Sequence, residues 1–383
     1  MMSPRAPAPT TPGQLEPRST RMVFFIAGLG VSAWAPLVPF AKARADLGDG
    51  ALGLLLLCLG TGSIIAMPIA GVLAARYGCR LVLIVSTGLV CATLPVLATG
   101  SSRSLLVASL FIFGVGMGSL DCVVNIQAVI VERASRRPMM SGFHGLFSVG
   151  GIVGAGGVSA ALGIGASPLV ATLCVAAGIL GVLAKAAPHL LPYGGQGEGS
   201  VFAIPHGVVL FIGILCFILF LTEAAVLDWS AVFLTSTRGV KPHYAGLAYA
   251  AFAGTMTVGR LTGDAIVRRI GGPRVVVIGS LIAAMGLAFA TLVPTWEAGI
   301  LGFALVGVGC SNIVPVLYTA VGRQKVVPEH VAVPAISTLG YAGILVGPAI
   351  IGLLAQVSSL AVALLAVAIL LLGVAASGRM IQG

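Results

Sequence analysis

Few residues of this chain could do chemistry, and those that could are carboxylates and amides set inside apolar runs. Asp121-x-x-x-Asn125-x-Gln127 lies in a run that begins near Leu105. At ~1.5 Å of helical rise per residue, Asp121 sits ~24 Å along that run, in the far third of a ~30 Å hydrocarbon core. A carboxyl there is desolvated, which penalises its charged form and lets it load and release a proton near physiological pH. Ionisable groups in such runs by default face a bundle interior or a watery cavity and mark a solute or proton path. The competing reading is a protonated Asp acting as packing glue between helices. Asn125, one turn along the same face, could bind a solute or the Asp121 carboxyl. Glu132 and the glycines Gly114 and Gly118 fall on or beside that stripe, so one face can be wet.

A second set is Glu223-Ala-Ala-Val-Leu-Asp228-Trp229-Ser230, with Glu223 ~24 Å from Gly207 by the same rise. Glu223 is the second proton-carrier candidate, and Asp228, beside an interfacial Trp, is an outer-gate or capping candidate. His144, with Ser141 and Ser148 on its face, and the pair Arg260 and Asp264 are gate candidates. The i, i+4 spacing of the latter two first predicts an ion pair within one helix. Solute-cavity candidates are Asn125, Gln127, Trp34, Asn312 and Tyr318. No HExxH or GxxxxGK[ST] motif occurs, the five histidines are scattered, and the seven cysteines form no CxxC pair. Neither an enzyme, a metal site, a bound cofactor nor a nucleotide-driven pump is therefore expected.

These residues need positioning elements, and composition says what kind. The chain is 58% hydrophobic and 8% charged over 383 residues, whereas a soluble domain carries about a quarter charged residues. It reads as an all-α polytopic membrane protein. Twelve spans are predicted, at 22–40, 51–74, 81–98, 105–131, 142–163, 168–187, 207–233, 245–267, 275–293, 298–320, 332–355 and 360–376. Residues 1–21 read as a disordered cytoplasmic tail, 22–188 and 207–377 as two six-helix bundles, 189–206 as a cytoplasmic linker and 378–383 as a short tail. Ala41-Lys-Ala43 imitates a signal-peptidase site, but the first span is needed to complete the first bundle.

Sorting the 21 Lys and Arg among alternate loops puts fifteen on one side, five on the other and Arg260 inside a span. By the positive-inside rule both termini are cytoplasmic, and the charge of +10 reflects orientation rather than nucleic-acid binding. A repeat relates the halves. Arg76-x-Gly78 recurs as Arg269-x-Gly271, Gly114-Val-Gly116 as Gly307-Val-Gly309, and Gly150-x-x-Val-Gly154 as Gly343-x-x-Val-Gly347, each 193 residues on. Parallel six-span repeats place a solute site between them near the midplane. The paired glycines of spans 5 and 11 suit surfaces that rock against each other, while Pro36, Pro39, Pro315 and Pro348 could place bends.

On these residues the chain resembles the major facilitator superfamily. Gly71-Val-Leu-Ala-Ala75-Arg76-Tyr77-Gly78-Cys79-Arg80 is similar to its signature between helices 2 and 3, although the signature's acidic position is Ala75 here and Arg268 in the second copy. The resemblance therefore does not extend to the gate latch built on that acid. The Asp121 and Glu223 sets, with Met140-Ser-Gly-Phe-His144-Gly145, resemble a bacterial subgroup that includes rhizopine-cluster membrane proteins. The resemblance implies helices 1, 4, 7 and 10 around a central cavity, with 2 against 11 and 5 against 8 across the interface. The glycine cluster Gly150–Gly157 resembles that of drug–proton antiporters, which favours export slightly over uptake, although the signature's proline is absent. The reading is a proton-coupled secondary transporter of a small polar or cationic solute, monomeric, in a bacterial inner membrane. A fluxless sensor and a sugar or polyol uptake permease are the alternatives.

Overall fold

Apolar runs of this length can satisfy their backbone in lipid only as helices, and helices are what forms. The computed structural model describes residues 13, 15–47, 49–195, 206–241 and 244–381, with no strand among them. Twelve membrane-length helices follow in order: α1 (Leu15–Arg44), α2 (Asp49–Tyr77), α3 (Cys79–Thr99), α4 (Arg103–Ser135), α5 (Met140–Gly163), α6 (Pro168–Ala186), α7 (Gly207–Arg238), α8 (Leu247–Ile270), α9 (Gly272–Leu292), α10 (Trp296–Arg323), α11 (Glu329–Val357) and α12 (Leu360–Ser377). Eleven are apolar enough to cross a membrane by composition alone. The exception is α8, which carries Arg260, Asp264, Arg268 and Arg269. Large apolar side chains such as Ile152, Leu301 and Ile369 stand more than half exposed, as lipid rather than water would permit.

The first helix starts at Leu15, so residues 15–21 are helical rather than tail, and Ser19 and Thr20 are buried. The rest of the expected tail, residues 1–12 and 14, lies outside the described residues, as do 196–205 of the linker and 382–383. Two helices break where proline predicts. In α1 a 3-10 turn over Ala35–Leu37 follows Trp34, and α10 is interrupted between Cys310 and Ile313, just ahead of Pro315. Pro348 leaves α11 helical.

The halves are built alike. In the first, α1 packs on α5, α2 on α4, and α3 on α4 and α6; in the second, α7 packs on α11, α8 on α10, and α9 on α10 and α12. The repeat reaches single residues. Gly78 and Gly271 begin the third helix of each half with φ of +84° and +82°, a conformation that favours glycine. A methyl on Gly114 would sit 2.2 Å from the Leu59 carbonyl oxygen, and one on Gly307 2.3 Å from that of Phe252. Both contacts are backbone against backbone, one repeat apart.

Across the halves α2 meets α11 and α5 meets α8, as the resemblance implies. The paired glycines do not serve that seam, however. Gly150 and Gly154 press on the Phe25 and Leu29 carbonyls of α1, and Gly343 on that of Phe217 of α7, so they bind each half internally. The rocking seam is instead lined by Gly142 and Gly145 of α5 against α8, and Gly71 of α2 against His330 of α11.

Candidate functional site

Helix α4 runs 33 residues, longer than the apolar run suggests. Asp121 is therefore ~27 Å from one end of the helix and ~21 Å from the other, near its middle. Its half-buried carboxyl has no cationic partner among the described residues. The Asn125 side-chain amide donates to the Asp121 backbone carbonyl at 2.9 Å and reaches the carboxylate only at 3.5 Å. The Asn125 Oδ1 is buried and unpartnered. Tyr318 of α10 and Tyr341 of α11 stand within electrostatic reach of Asp121. The expected wet stripe is narrow, because Gly114 and Gly118 are pressed against the backbone of α2 at Leu59 and Ser63.

In the second half α7 and α8 bring Glu223 and Arg260 together, 3.3 Å apart. The guanidinium of Arg260 also donates to Ser148 Oγ of α5 at 3.0 Å and approaches the Ser311 carbonyl at the break in α10, at 3.4 Å. This corrects the local reading of Arg260 and Asp264. No ion pair joins them, because packing offers Arg260 a deeper carboxylate and offers Asp264 a helix end. The Asp264 Oδ1 accepts from the Gly142 backbone N–H at the start of α5, at 3.1 Å.

Asp264 stands one turn along α8 from Arg268, which occupies the signature's acidic position. The same end of the molecule is closed by two further bridges. Glu132 of α4 accepts from Thr319 of α10 and from the Met139 and Met140 backbone N–H groups, and Arg133 pairs with Glu329 of α11. All these contacts lie toward the end bearing both termini. Toward the other end, Arg44 bonds the Leu97 and Gly100 carbonyls and Arg238 those of Ala290 and Thr291, each inside its own half.

The remaining expected residues separate into groups. His144 makes no hydrogen bond to Arg260 or Asp264. Its ring lies between Phe24 and Tyr318, with centroids 5.2 and 5.7 Å away, its Nε2 is unpartnered, and Arg260 is within electrostatic reach. Gln127 is not a cavity residue. It is fully buried, donates to Thr20 Oγ1 at 2.9 Å and accepts from the Leu191 backbone N–H at 3.1 Å, tying α4 to α1 and to the chain after α6. Its place two residues beyond Asn125 turns it to the opposite face of α4.

Tyr318 shares a hydrogen bond with Ser337 at 2.7 Å. Asn312, at the break in α10, donates to the Gly259 carbonyl at 3.0 Å and leaves its Oδ1 unpartnered, and Trp34, at the break in α1, leaves its Nε1 so. Asp228 is exposed near the far end of α7. Sequence reasoning missed Ser148 as a partner of Arg260, Thr319 as a partner of Glu132, and Tyr341. The resemblance, by implying that helix 5 faces helix 8, is the signal that could have pointed to Ser148.

Comparison with known proteins agrees with the fold. The family model described as Major Facilitator Superfamily matches residues 22–323. An uncharacterised MFS-type transporter of Yersinia pestis is 54% identical over 96% of this chain and 96% of its own. The membrane protein MosC of Rhizobium meliloti is 31% identical over 93% of this chain and 88% of its own. Among solved structures, an Escherichia coli transporter, FucP, in the outward conformation superposes with a TM-score of 0.79, covering 97% of this chain and 99% of that one at 14% identity.

Proposed function

The chain belongs to the major facilitator superfamily and is a multi-pass membrane transporter, and we propose that it moves a small polar or cationic solute by alternating access coupled to protons. The observation that carries this reading is the asymmetry of the two deep carboxyls. Glu223 is paired with Arg260, while the half-buried Asp121 has no cation beside it among the described residues. A desolvated carboxyl without a counter-ion is stabilised by taking up a proton or by meeting a cationic or hydrogen-bonding solute, so each ligand alters the affinity for the other. Asp121 is the proposed proton carrier, Asn125 and Asn312 offer unpartnered amide oxygens to a solute, and Glu223 is the reserve carrier.

The end bearing the termini is bridged across the halves by Glu132 with Thr319 and by Arg133 with Glu329, and the positive-inside count supports a cytoplasmic placement of that end in a bacterial inner membrane. Residues 189–206 then link two bundles on the cytoplasmic side, and the glycine cluster of α5 favours export. A reporter fused after Gly383 is expected to be active in the cytoplasm.

The decisive experiment is Asp121→Asn in proteoliposomes. The substitution keeps shape and hydrogen bonding but cannot change charge. Counterflow exchange of a bound solute should survive while accumulation driven by an imposed pH gradient disappears. If the variant still accumulates solute in response to pH, Asp121 is structural and Glu223 becomes the leading carrier. Absence of any flux in the parent protein would make it a sensor.

A further inference from the structure

The closed end holds a feature that transport does not account for. Between the end of α4, the turn that follows it and the end of α10 lies an open cavity of about 210 Å³, lined by Arg133, Arg136, Arg137 and Arg323 together with Glu132 and Thr319. Arg133 is paired with Glu329, but no acidic partner for Arg136, Arg137 or Arg323 exists among the described residues. Glu132 offsets one of these charges at a distance, but its oxygens are bonded to the Met139 and Met140 N–H groups and the Thr319 hydroxyl and make no ion pair with an arginine, so the lining keeps an excess of positive charge. Arg136 takes the left-handed conformation, φ +51°, that ends α4, and Arg137 after it is also in the cavity lining.

Topology explains why basic residues lie on this side but not why they enclose a cavity. Like charges brought together around a concave space repel unless an anion fills it, and forked guanidinium donors match phosphate oxygens in particular. The walls also come from both halves, since Arg323 and Thr319 belong to α10 and the others to α4 and its following turn. We propose that this cavity binds a phosphate-type anion, a lipid phosphodiester or a soluble polyphosphate, which bridges α4 to α10 and holds this end of the transporter closed. The inference goes beyond the transport reading and does not require Asp121 to carry protons.

The test uses the full-length protein with Arg136→Gln/Arg137→Gln. The control, Lys185→Gln/Arg274→Gln, removes the same charge from exposed basic residues on the same side that do not line the cavity. Inorganic pyrophosphate is titrated calorimetrically into delipidated protein, and phosphatidylglycerol retained on purification from mixed-lipid nanodiscs is counted by native mass spectrometry. The cavity variant should lose about tenfold in affinity or retention, as expected for loss of forked charge-assisted contacts, while the control keeps both. Loss confined to pyrophosphate identifies a soluble anion, and loss confined to the lipid identifies a headgroup; either supports the site. Equal behaviour of the two variants, or no binding of either probe to the parent, overturns it. Should the glutamine variant fold poorly, Arg136→Lys/Arg137→Lys keeps the charge and should bind detectably but more weakly. Cysteines replacing Met67 and Thr338, in contact across α2 and α11, should cross-link more completely with the anion bound, and no change there would overturn the bridging role.

Discussion

Glu223→Ala gives the most direct measure of how the core of the second half is held. Arg260 is 7% exposed, and its Nη2 lies 3.3 Å from Glu223 Oε1. At an effective dielectric of about 20 the bare attraction at that distance is about 5 kcal/mol, which the desolvation of two charges largely offsets. Removing one partner strands the other, and stranding a buried charge costs about 3–5 kcal/mol. Arg260 keeps the Ser148 hydroxyl and the Ser311 carbonyl, so the lower end, about 3 kcal/mol, is expected. Glu223→Gln leaves an acceptor in place without its charge and should cost less, about 1–2 kcal/mol. In the double variant with Arg260→Met no charge is stranded, so the pair should show a coupling of about 1–3 kcal/mol. Equilibrium unfolding of the four proteins of this cycle in mixed micelles measures it. Destabilisations that simply add would refute the claim that these two side chains hold each other in place.

Gly150→Ala would place a methyl 2.0 Å from the Phe25 carbonyl oxygen; the backbone cannot yield cheaply there, and the variant should be largely lost from the folded membrane fraction, read by fluorescence-detected gel filtration. Gln127→Leu strands the Leu191 N–H, while the Thr20 hydroxyl keeps its bond to the Glu16 carbonyl, and should cost about 2 kcal/mol in unfolding while leaving the apparent affinity for solute unchanged, in contrast to Asn125→Leu. Asp264→Asn weakens the carboxylate contact to the start of α5, so the closed end should open more often, seen as faster maleimide labelling of a cysteine at position 141.

Much of the fold was legible because lipid imposes a simple code: apolar length gives the helices, and the 193-residue offset the likeness of the two halves. The offset worked down to Gly114 and Gly307 because close backbone contacts tolerate no other residue. The site was legible only in part. Asp121 and Glu223 stand out in any apolar run, since their expense there is a one-dimensional property. Partnership is not. Arg260 and Asp264 have the spacing of a helical ion pair, yet each takes a partner from another helix, and nothing local ranks a neighbour one turn away against a carboxylate brought in by α7.

That choice of partner matters for how the machine could work. Arg260 holds Glu223 within its own half and Ser148 across the seam, so the two contacts draw on one guanidinium. Neutralising Glu223, by a proton or a competing solute, weakens the first and leaves the charge to its bond across the seam with α5. Opening the seam breaks that second bond and returns Arg260 to the carboxylate. On the proposed transport reading, the state of Glu223 and the contact between α8 and α5 would be linked through the Arg260 side chain.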